Sequence, residues 1–303
     1  MVDVMSKKIW YFAFSGLVII PGIVALALWG LNLGVDFTGG TLIELSFNQQ
    51  IDKNNLEKVI KNKDIHVSSI ATTDAGTYLV RTKPLDDKQR RTVIEGAKGK
   101  FGSVEEVGHE TIGPTIGAEL LRKAFIALIV AAVVIVLYIA FAFRSVPKPA
   151  SSWRFGVCAV TALLHDTILI VGIFSILGHF FAVEVDSFFV TALLTIIGFS
   201  VHDTIVVFDR VRENLKNNVG ENFTSTVNHS ITQTFARSLN TSVTVVLVLL
   251  AVLLFGGATL RWFTVALLIG IISGTYSSIF NAAPLLVVWQ EWADKRNSLK
   301  AHR

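Results

Sequence analysis

The stretch Leu193-Leu194-Thr195-Ile196-Ile197-Gly198-Phe199-Ser200-Val201-His202-Asp203-Thr204-Ile205-Val206-Val207-Phe208-Asp209-Arg210 decides how the chain is read. With the apolar run from Phe188 before it, it reads as a membrane-spanning helix. His202 and Asp203 nevertheless stand inside it, before the apolar pattern ends at Phe208. An ionised carboxylate within hydrocarbon costs at least about 2.5–3.5 kcal/mol on insertion scales. A helix that stopped at Val201 would avoid that cost but leave Ile205, Val206, Val207 and Phe208 without cover. Asp203 is therefore read as a working residue facing protein or water inside the membrane.

The rest of the chain is built of similar material. Of 303 residues, 52% are hydrophobic and 17% charged, and the apolar ones fall in long uncharged blocks. One globular core cannot absorb them, so the sequence specifies an integral membrane protein. Cys158 is the only cysteine and no His-Glu-x-x-His occurs. Neither a disulfide framework nor a metal site nor a cofactor is expected.

Towards the N-terminus, the first apolar block runs from Ile9 to Gly30 behind Lys7 and Lys8. Ala25-Leu26-Ala27 has the form of a cleavage site, but the block exceeds the roughly 7–15 residues of a signal core. Trp10 and Trp29 bracket it as interface anchors would, so an uncleaved helix is expected. A turn-rich exit follows, closing with Asp36-Phe37-Thr38-Gly39-Gly40. Paired glycines admit backbone angles closed to other residues, and an aspartate can bond nearby amides in a turn.

From Thr41 to about Glu110 the chain is soluble in character. Strands are expected at Thr41–Phe47, His66–Ala71, Thr77–Thr82 and Ser103–Glu110, and helices at Asp52–Asn62 and Asp87–Gly99. Asp74-Ala75-Gly76 reads as a hairpin turn between the middle strands. The order β-α-β-β-α-β is that of a ferredoxin-like domain. Its basic and acidic residues balance without a basic stripe, so nucleic acid is not an expected partner.

Gly113-Pro114-Thr115-Ile116-Gly117-Ala118-Glu119-Leu120 then returns the chain to the membrane. A second helix is expected at Lys123–Phe143 and a third at Phe155–Leu177. The third carries His165 and Asp166 near the bilayer centre, at about 1.5 Å per residue. Past the deciding stretch, Arg210–Thr234 reads as a short helical or irregular segment. The fifth helix is strictly apolar only from Val243 to Phe255, so a span of about 20 residues must begin near Phe235 and include Arg237. Arg237 is read either as an intramembrane partner of Asp203 or as an arginine snorkelling to the headgroups. The sixth helix, Trp262–Trp289, contains the small-xxx-small pattern Gly270-Ile271-Ile272-Ser273-Gly274. That pattern places Gly270 and Gly274 against a partner subunit or a closely packed helix.

Lys and Arg in the short loops set the orientation. Lys7, Lys8, Arg144, Lys148, Arg154, Arg210, Arg212, Lys216, Lys295, Arg296, Lys300 and Arg303 fall on one side of six spans, and the opposite short loops offer only Arg261. Both termini are then cytoplasmic by the positive-inside rule. The expected fold is an α-helical membrane protein with six transmembrane helices and an α+β ferredoxin-like extracytoplasmic domain between helices one and two. The expected divisions are a cytoplasmic tail with the first helix (1–35), the periplasmic domain (36–118), helices two to six (119–292) and a cytoplasmic tail (293–303).

Several motifs in this order resemble the SecD/SecF family of protein-export membrane proteins, on its SecF side. They are Asp36-Phe37-Thr38-Gly39-Gly40, Gly113-Pro114-Thr115-Ile116-Gly117, Leu164-His165-Asp166, and Ile197–Arg210 with Arg212-Glu213-Asn214. Arg237 with Thr241-Ser242, Phe255-Gly256-Gly257 and Gly270–Ser278 complete the set. The resemblance implies a half-transporter of the resistance-nodulation-division type, in a bacterial cytoplasmic membrane. Its implied partners are SecD, the SecYEG channel, further membrane accessory subunits and the unfolded polypeptide in transit, which it draws outward with the proton- or sodium-motive force. It implies ion-coupled transport and no enzyme, with Asp203, Arg237, Asp166 and His202 as the ion-coupling residues. His202 departs from the family, which usually has Asn there. A histidine titrates near neutrality, so it either tunes proton exchange at Asp203 or hydrogen-bonds to another helix. Asp166 is either a second relay carboxylate or a packing partner of His165.

Two other functions share parts of this pattern. A stand-alone exporter of small molecules or lipids would also hold an intramembrane carboxylate, but six helices and one small outer domain make half of such a machine. An intramembrane aspartyl protease would need two facing aspartates in a glycine-rich loop context, and Asp203 lies in continuous helix. For the topology, an outside-only reporter fused after Gly99 or within residues 178–187 should give signal. The same reporter after Asn217 or Arg303 should give none, and signal at Arg303 would overturn the six-span count.

Overall fold

The computed structural model describes residues 3–63, 65–73, 76–144, 146–147 and 151–301. Asp74, Ala75, Lys148 and Arg303, used above for a turn and for the charge bias, lie outside the described residues.

The first apolar block forms α1 (Lys8–Trp29), after one 3-10 turn at Met5–Lys7. The exit motif contains a single helical turn, α2 (Val35–Thr38), and leads into β1 (Gly40–Phe47). The small domain then runs α3 (Lys53–Lys61), β2 (Val67–Thr72), β3 (Tyr78–Thr82), α4 (Asp87–Phe101) and β4 (Val104–Ile112). All its strand pairs are antiparallel, in the order β2-β3-β1-β4. With the two helices this is the split-βαβ arrangement that the element order predicts. Period-two burial in β1 (Ile43, Leu45) meets the apolar stripe of α3 (Leu56, Ile60) and Val93 and Ala97 of α4. Each large side chain so buried stabilises by about 1.5–3 kcal/mol. The helices begin at caps written in the sequence. Asp52 accepts from the Asn54 amide at 3.2 Å, and Asp86 and Gln89 form a reciprocal capping box.

The membrane bundle comprises α1, α5 (Pro114–Ala142), α6 (Ser152–Phe181), α7 (Ser187–Lys216), α8 (Phe223–Phe255) and a last helix in two parts. That last helix is α9 (Arg261–Ser277), a π turn at Ser278–Ala282 and α10 (Ala283–Ala301). Among the described residues, six helices are long and apolar enough to cross a membrane. Lys8 and Glu291 form an ion pair, so the start of α1 and the outer turns of α10 lie at the same end of the bundle.

One expectation needs correction and one alternative is resolved. Helix two starts at Pro114, not near Lys123, because proline suits the first helical position and lacks an amide that would go unsatisfied there. The polar segment 210–234, open to a helical or an irregular reading, is mostly helical: α7 runs on to Lys216 and α8 starts at Phe223, with a short turn between them. Tertiary contacts carry both helices through it. Asn214 donates to Ser230 at 2.8 Å and to Gln233 at 2.9 Å, and Val211, Val227 and Ile231 are buried together. Asn222 caps α8 by accepting from the Ser225 amide at 2.8 Å.

The two domains are joined where backbones cross without side chains between them. Gly39 has φ +70°, and a Cβ there would stand 2.7 Å from Cα of Pro114. A Cβ on Gly117 would stand 2.8 Å from the Gly39 nitrogen. The exit of α1 thus interlocks with the entry of α5, and Phe37 enters the bundle core beside Phe174, Val185 and Phe189. A second contact of this kind joins α1 to α6, where a Cβ on Gly172 would lie 2.6 Å from Cα of Gly22. Gly39→Ala should therefore destabilise the protein by at least about 1–2 kcal/mol from the left-handed backbone alone. Gly99→Ala, on the open side of α4 with nothing within 4 Å, should be neutral or stabilising by up to about 1 kcal/mol. Thermal unfolding in detergent checks the pair, and equal midpoints would contradict the interlock.

Candidate functional site

Helix α7 is central to the bundle and packs on α6, α8 and α9. Its contact with α9 is a ladder with a four-residue step. A Cβ on Gly270 would meet Ile196 side-chain atoms at 2.4–2.7 Å, and one on Gly274 would meet Cβ of Ser200 at 3.1 Å. One turn further on, the hydroxyls of Ser278 and Thr204 lie 2.8 Å apart. Gly270 and Gly274 therefore face α7 of the same chain, the closely packed helix being the neighbour that the pattern meets. Small residues are what let two helices approach this far.

On another side of α7, Asp203 is 7% exposed and its Oδ1 accepts from Oγ of Ser238 on α8 at 2.6 Å. Among the described residues its buried Oδ2 has no hydrogen-bond partner. A cavity of about 20 Å³, the size of one water, opens beside it, lined by Phe199, His202, Asp203, Val206, Arg237, Ser238 and Thr241. The structure thus brings Asp203, His202 and Arg237 to one place. Among the described residues no ion pair joins Arg237 to Asp203, and Ser238 is the partner instead. His202 and Arg237 are both exposed on the outer surface of this chain.

Asp166 is placed very differently. It is 1% exposed, in the interior between α6, α7 and α9. Its Oδ2 accepts from Ser200 of α7 and Ser277 of α9, each at 2.6 Å, and its Oδ1 accepts from Ser273 at 2.7 Å. Nδ1 of His165 lies 3.0 Å from the same Oδ1. Nε2 of His165 faces the Asn281 amide nitrogen at 3.0 Å. An amide nitrogen only donates, so the imidazole proton belongs on Nδ1, aimed at the carboxylate. Asn281 in turn accepts from Ser15 of α1 at 3.0 Å. Four helical segments are tied to one carboxylate.

The sequence reading reached Asp166, His165 and Asp203 but missed the serines and Asn281. Ser273 and Ser277 stand four apart, one face of a helix, which was a legible signal. Asn281 depends on the π turn, and its signal is Pro284 two residues beyond: proline has no amide for the Phe280 carbonyl, and the turn widens there. The glycine motif is not part of the cavity. Asp36 accepts from the Ser187 amide at 2.8 Å, at the opposite end of α7 from the chain termini. Among the described residues no group of three or more His, Cys, Asp or Glu is disposed to hold a metal ion.

Comparison with known proteins covers both the bundle and the glycine motif. A family described as "Protein export membrane protein SecD/SecF, C-terminal" matches residues 92–292, and one described as "SecD/SecF GG Motif" matches residues 25–51. The chain is 43% identical to the protein translocase subunit SecF of Thermobaculum terrenum, over 96% of this chain and 94% of that one. It is 42% identical to the SecF subunit of Anaerolinea thermophila, over 96% of each. The crystal structure of SecDF, a translocon-associated membrane protein from Thermus thermophilus, superposes with a TM-score of 0.85 at 34% identity. That match covers 96% of this chain and 39% of the SecDF chain.

The two carboxylates should respond differently to amide substitution. Asp166→Asn puts an NH2 group among donors and should cost about 3 kcal/mol or more. Asp203→Asn keeps the one acceptor that Ser238 needs and should cost about 1 kcal/mol or less. Unfolding midpoints in detergent rank them; the reverse order would contradict the cage.

Proposed function

This chain belongs to the SecD/SecF family of protein-export membrane proteins, and we propose that it serves as the SecF subunit of a complex in which ion flow through the membrane promotes polypeptide export. The observation that carries this reading is the cavity at Asp203. An intramembrane carboxylate with an oxygen unpartnered among the described residues, a hydroxyl donor from the next helix, an arginine and a histidine meet in one small space.

The surface around that cavity supports a partner. Arg237 and His202 point away from the chain amid exposed Phe235, Leu239 and Val243 of α8. A charged side chain facing lipid there is costly, and a protein neighbour removes the cost. In the SecDF relatives a single longer chain includes a region like this one. We infer that SecD covers this face and completes the ion path, and that the pair docks on SecYEG. The loop charges support cytoplasmic termini and an extracytoplasmic sheet domain at 36–118, and kinship with SecF subunits supports a bacterial inner membrane. The activity is secondary transport, driven by a gradient.

The proposed cycle uses the geometry at hand. With Arg237 drawn against Asp203, the ion pair favours the carboxylate. With Arg237 withdrawn, a dry wall and one hydroxyl favour the protonated acid. Alternating exposure of Asp203 to the two sides then moves one proton per cycle, while Arg237 keeps its charge. One elementary charge crossing 100 mV is worth about 2.3 kcal/mol, enough to bias a two-state bundle. Asp166, encircled by donors from α7 and α9, serves in this scheme as the anchor that keeps α6, α7 and α9 together as they move.

Vesicles holding the complex with SecD and the channel, under an imposed gradient, test the cycle. Asp203→Asn should assemble normally and lose gradient-driven export. Arg237→Lys should retain more export than Arg237→Ala, since charge survives but the planar reach does not. His202→Asn should stay active with a shifted pH optimum. Full gradient-dependent export by Asp203→Asn would overturn the reading.

A further inference from the structure

The connection between α6 and α7, residues 182–186, is held at successive points by the root of the sheet domain. Arg81 of β3 forms an ion pair with Glu184. Burial pushes the Arg81 guanidinium down to about 10, which leaves it charged at neutral pH. Val185 is fixed by backbone on both sides: its amide donates to the Asn32 carbonyl and its carbonyl accepts from the Gly34 amide, each at 2.8 Å. Ser187, the first residue of α7, donates its amide to Oδ2 of Asp36 at 2.8 Å. Asp186 caps the same helix from within by accepting from the Phe189 amide at 2.8 Å.

The first amides of a helix have no partner inside it. Asp186 satisfies one of them. The Ser187 amide is satisfied by a residue over 150 positions away in sequence, from a different domain. The carboxylates at this end also meet the positive end of the helix dipole. Asp203 lies on the same helix, sixteen residues on, which is about 24 Å at 1.5 Å per residue. A continuous hydrogen-bonded helix carries a shift at Asp203 to Ser187 with little loss, and α6 and α9, tied to it at Asp166, move with it.

We propose that this clamp is the joint through which movement of α7 is delivered to the sheet domain, with Asp36 as its positioning residue. The inference rests on the ion-coupling role of Asp203 and adds the route from that site to the outer domain. Asp36 touches no ion and no substrate in this scheme. It sets the position of the helix that does. Gly39 and Gly117 hold Asp36 to the start of α5, so the joint has a fixed side and a moving side.

The sequence offers an unusually clean way to cut the joint. Ser187 is the first helical residue and Asp186 before it is extended, at φ −119° and ψ −173°. Proline is favoured at that position and tolerates such a predecessor. Ser187→Pro therefore removes the donor to Asp36 without breaking α7, and Asp36→Ala removes the acceptor. Spin labels on cysteines placed at Lys98 of α4 and Leu254 of α8, with buried Cys158 left in place, report the distance between sheet domain and bundle in the reconstituted complex.

In the unaltered complex, imposing the gradient should shift that distance, and Asp203→Asn should abolish the shift. Asp36→Ala and Ser187→Pro should each abolish the shift and lower gradient-driven export at least tenfold, with recovery of the complex unchanged. The double variant should be no worse than either single one, because both cut the same bond. Asp36→Asn, which keeps an acceptor oxygen, should restore most of both signals. A persisting shift in both Asp36→Ala and Ser187→Pro, or additive losses in the double variant, overturns the joint while leaving the role of Asp203 intact. Full export by Asp203→Asn overturns the functional reading instead.

Discussion

Hydrocarbon offers a polar group no partner, so each one inside this bundle must find its own among the helices. Asp166 is where that constraint acts most strongly. Its carboxylate accepts from two hydroxyls of α9 and one of α7, and through His165 and Asn281 it reaches α1. Removing the carboxylate would leave several buried donors unmatched at once, each costing about 1–3 kcal/mol. The relative positions of α6, α7 and α9 therefore follow from one side chain. Glycines at 270 and 274 then allow α9 to come close enough for the serines to reach it.

Against that fixed point the second carboxylate is deliberately incomplete. Among the described residues Asp203 has one hydroxyl donor, an oxygen without a partner and a small cavity beside it. Two aspartates on adjacent helices thus have opposite surroundings, one saturated and one open. This contrast supports the proposal that one is structural and the other exchanges, and it arises from which residues face each other: serines of α7 and α9 around Asp166, and Arg237 with Ser238 of α8 beside Asp203. The far end of α7 is in turn hydrogen-bonded to Asp36 at the root of the sheet domain, so the helix that holds Asp203 is also tied to that domain.

Much of this was legible in the sequence because membrane helices and half-buried strands announce themselves by composition and period. Six spans and the sheet domain followed from long apolar blocks and from alternation in Thr41–Phe47, and a carboxylate where none belongs singled out Asp203 for inspection. Element ends were less visible wherever tertiary contacts extend a helix through polar sequence, as Asn214, Ser230 and Gln233 do across α7 and α8. The expectation that Arg237 pairs with Asp203 reflected depth alone. Depth along a helix does not fix azimuth, and Arg237 turns outward while Ser238 turns in. The cage at Asp166 was only half legible: Ser273 and Ser277 share a helix face in the sequence, but only the packed structure shows Ser200 converging with them on one carboxylate. Asp36 was visible as a turn residue, but its bond to Ser187 joins segments too far apart in sequence for any local pattern to reveal.

The central claim is that Asp203 exchanges protons while Asp166 remains a fixed, hydrogen-bonded anchor. A hydrophobic carbodiimide reacts with a protonated carboxyl in apolar surroundings, and peptide mass spectrometry of the labelled complex locates the adduct. The account predicts modification at Asp203, rising as the pH falls, with the peptide bearing Asp166 unmodified. Labelling at Asp166 with Asp203 untouched across the pH range would contradict it.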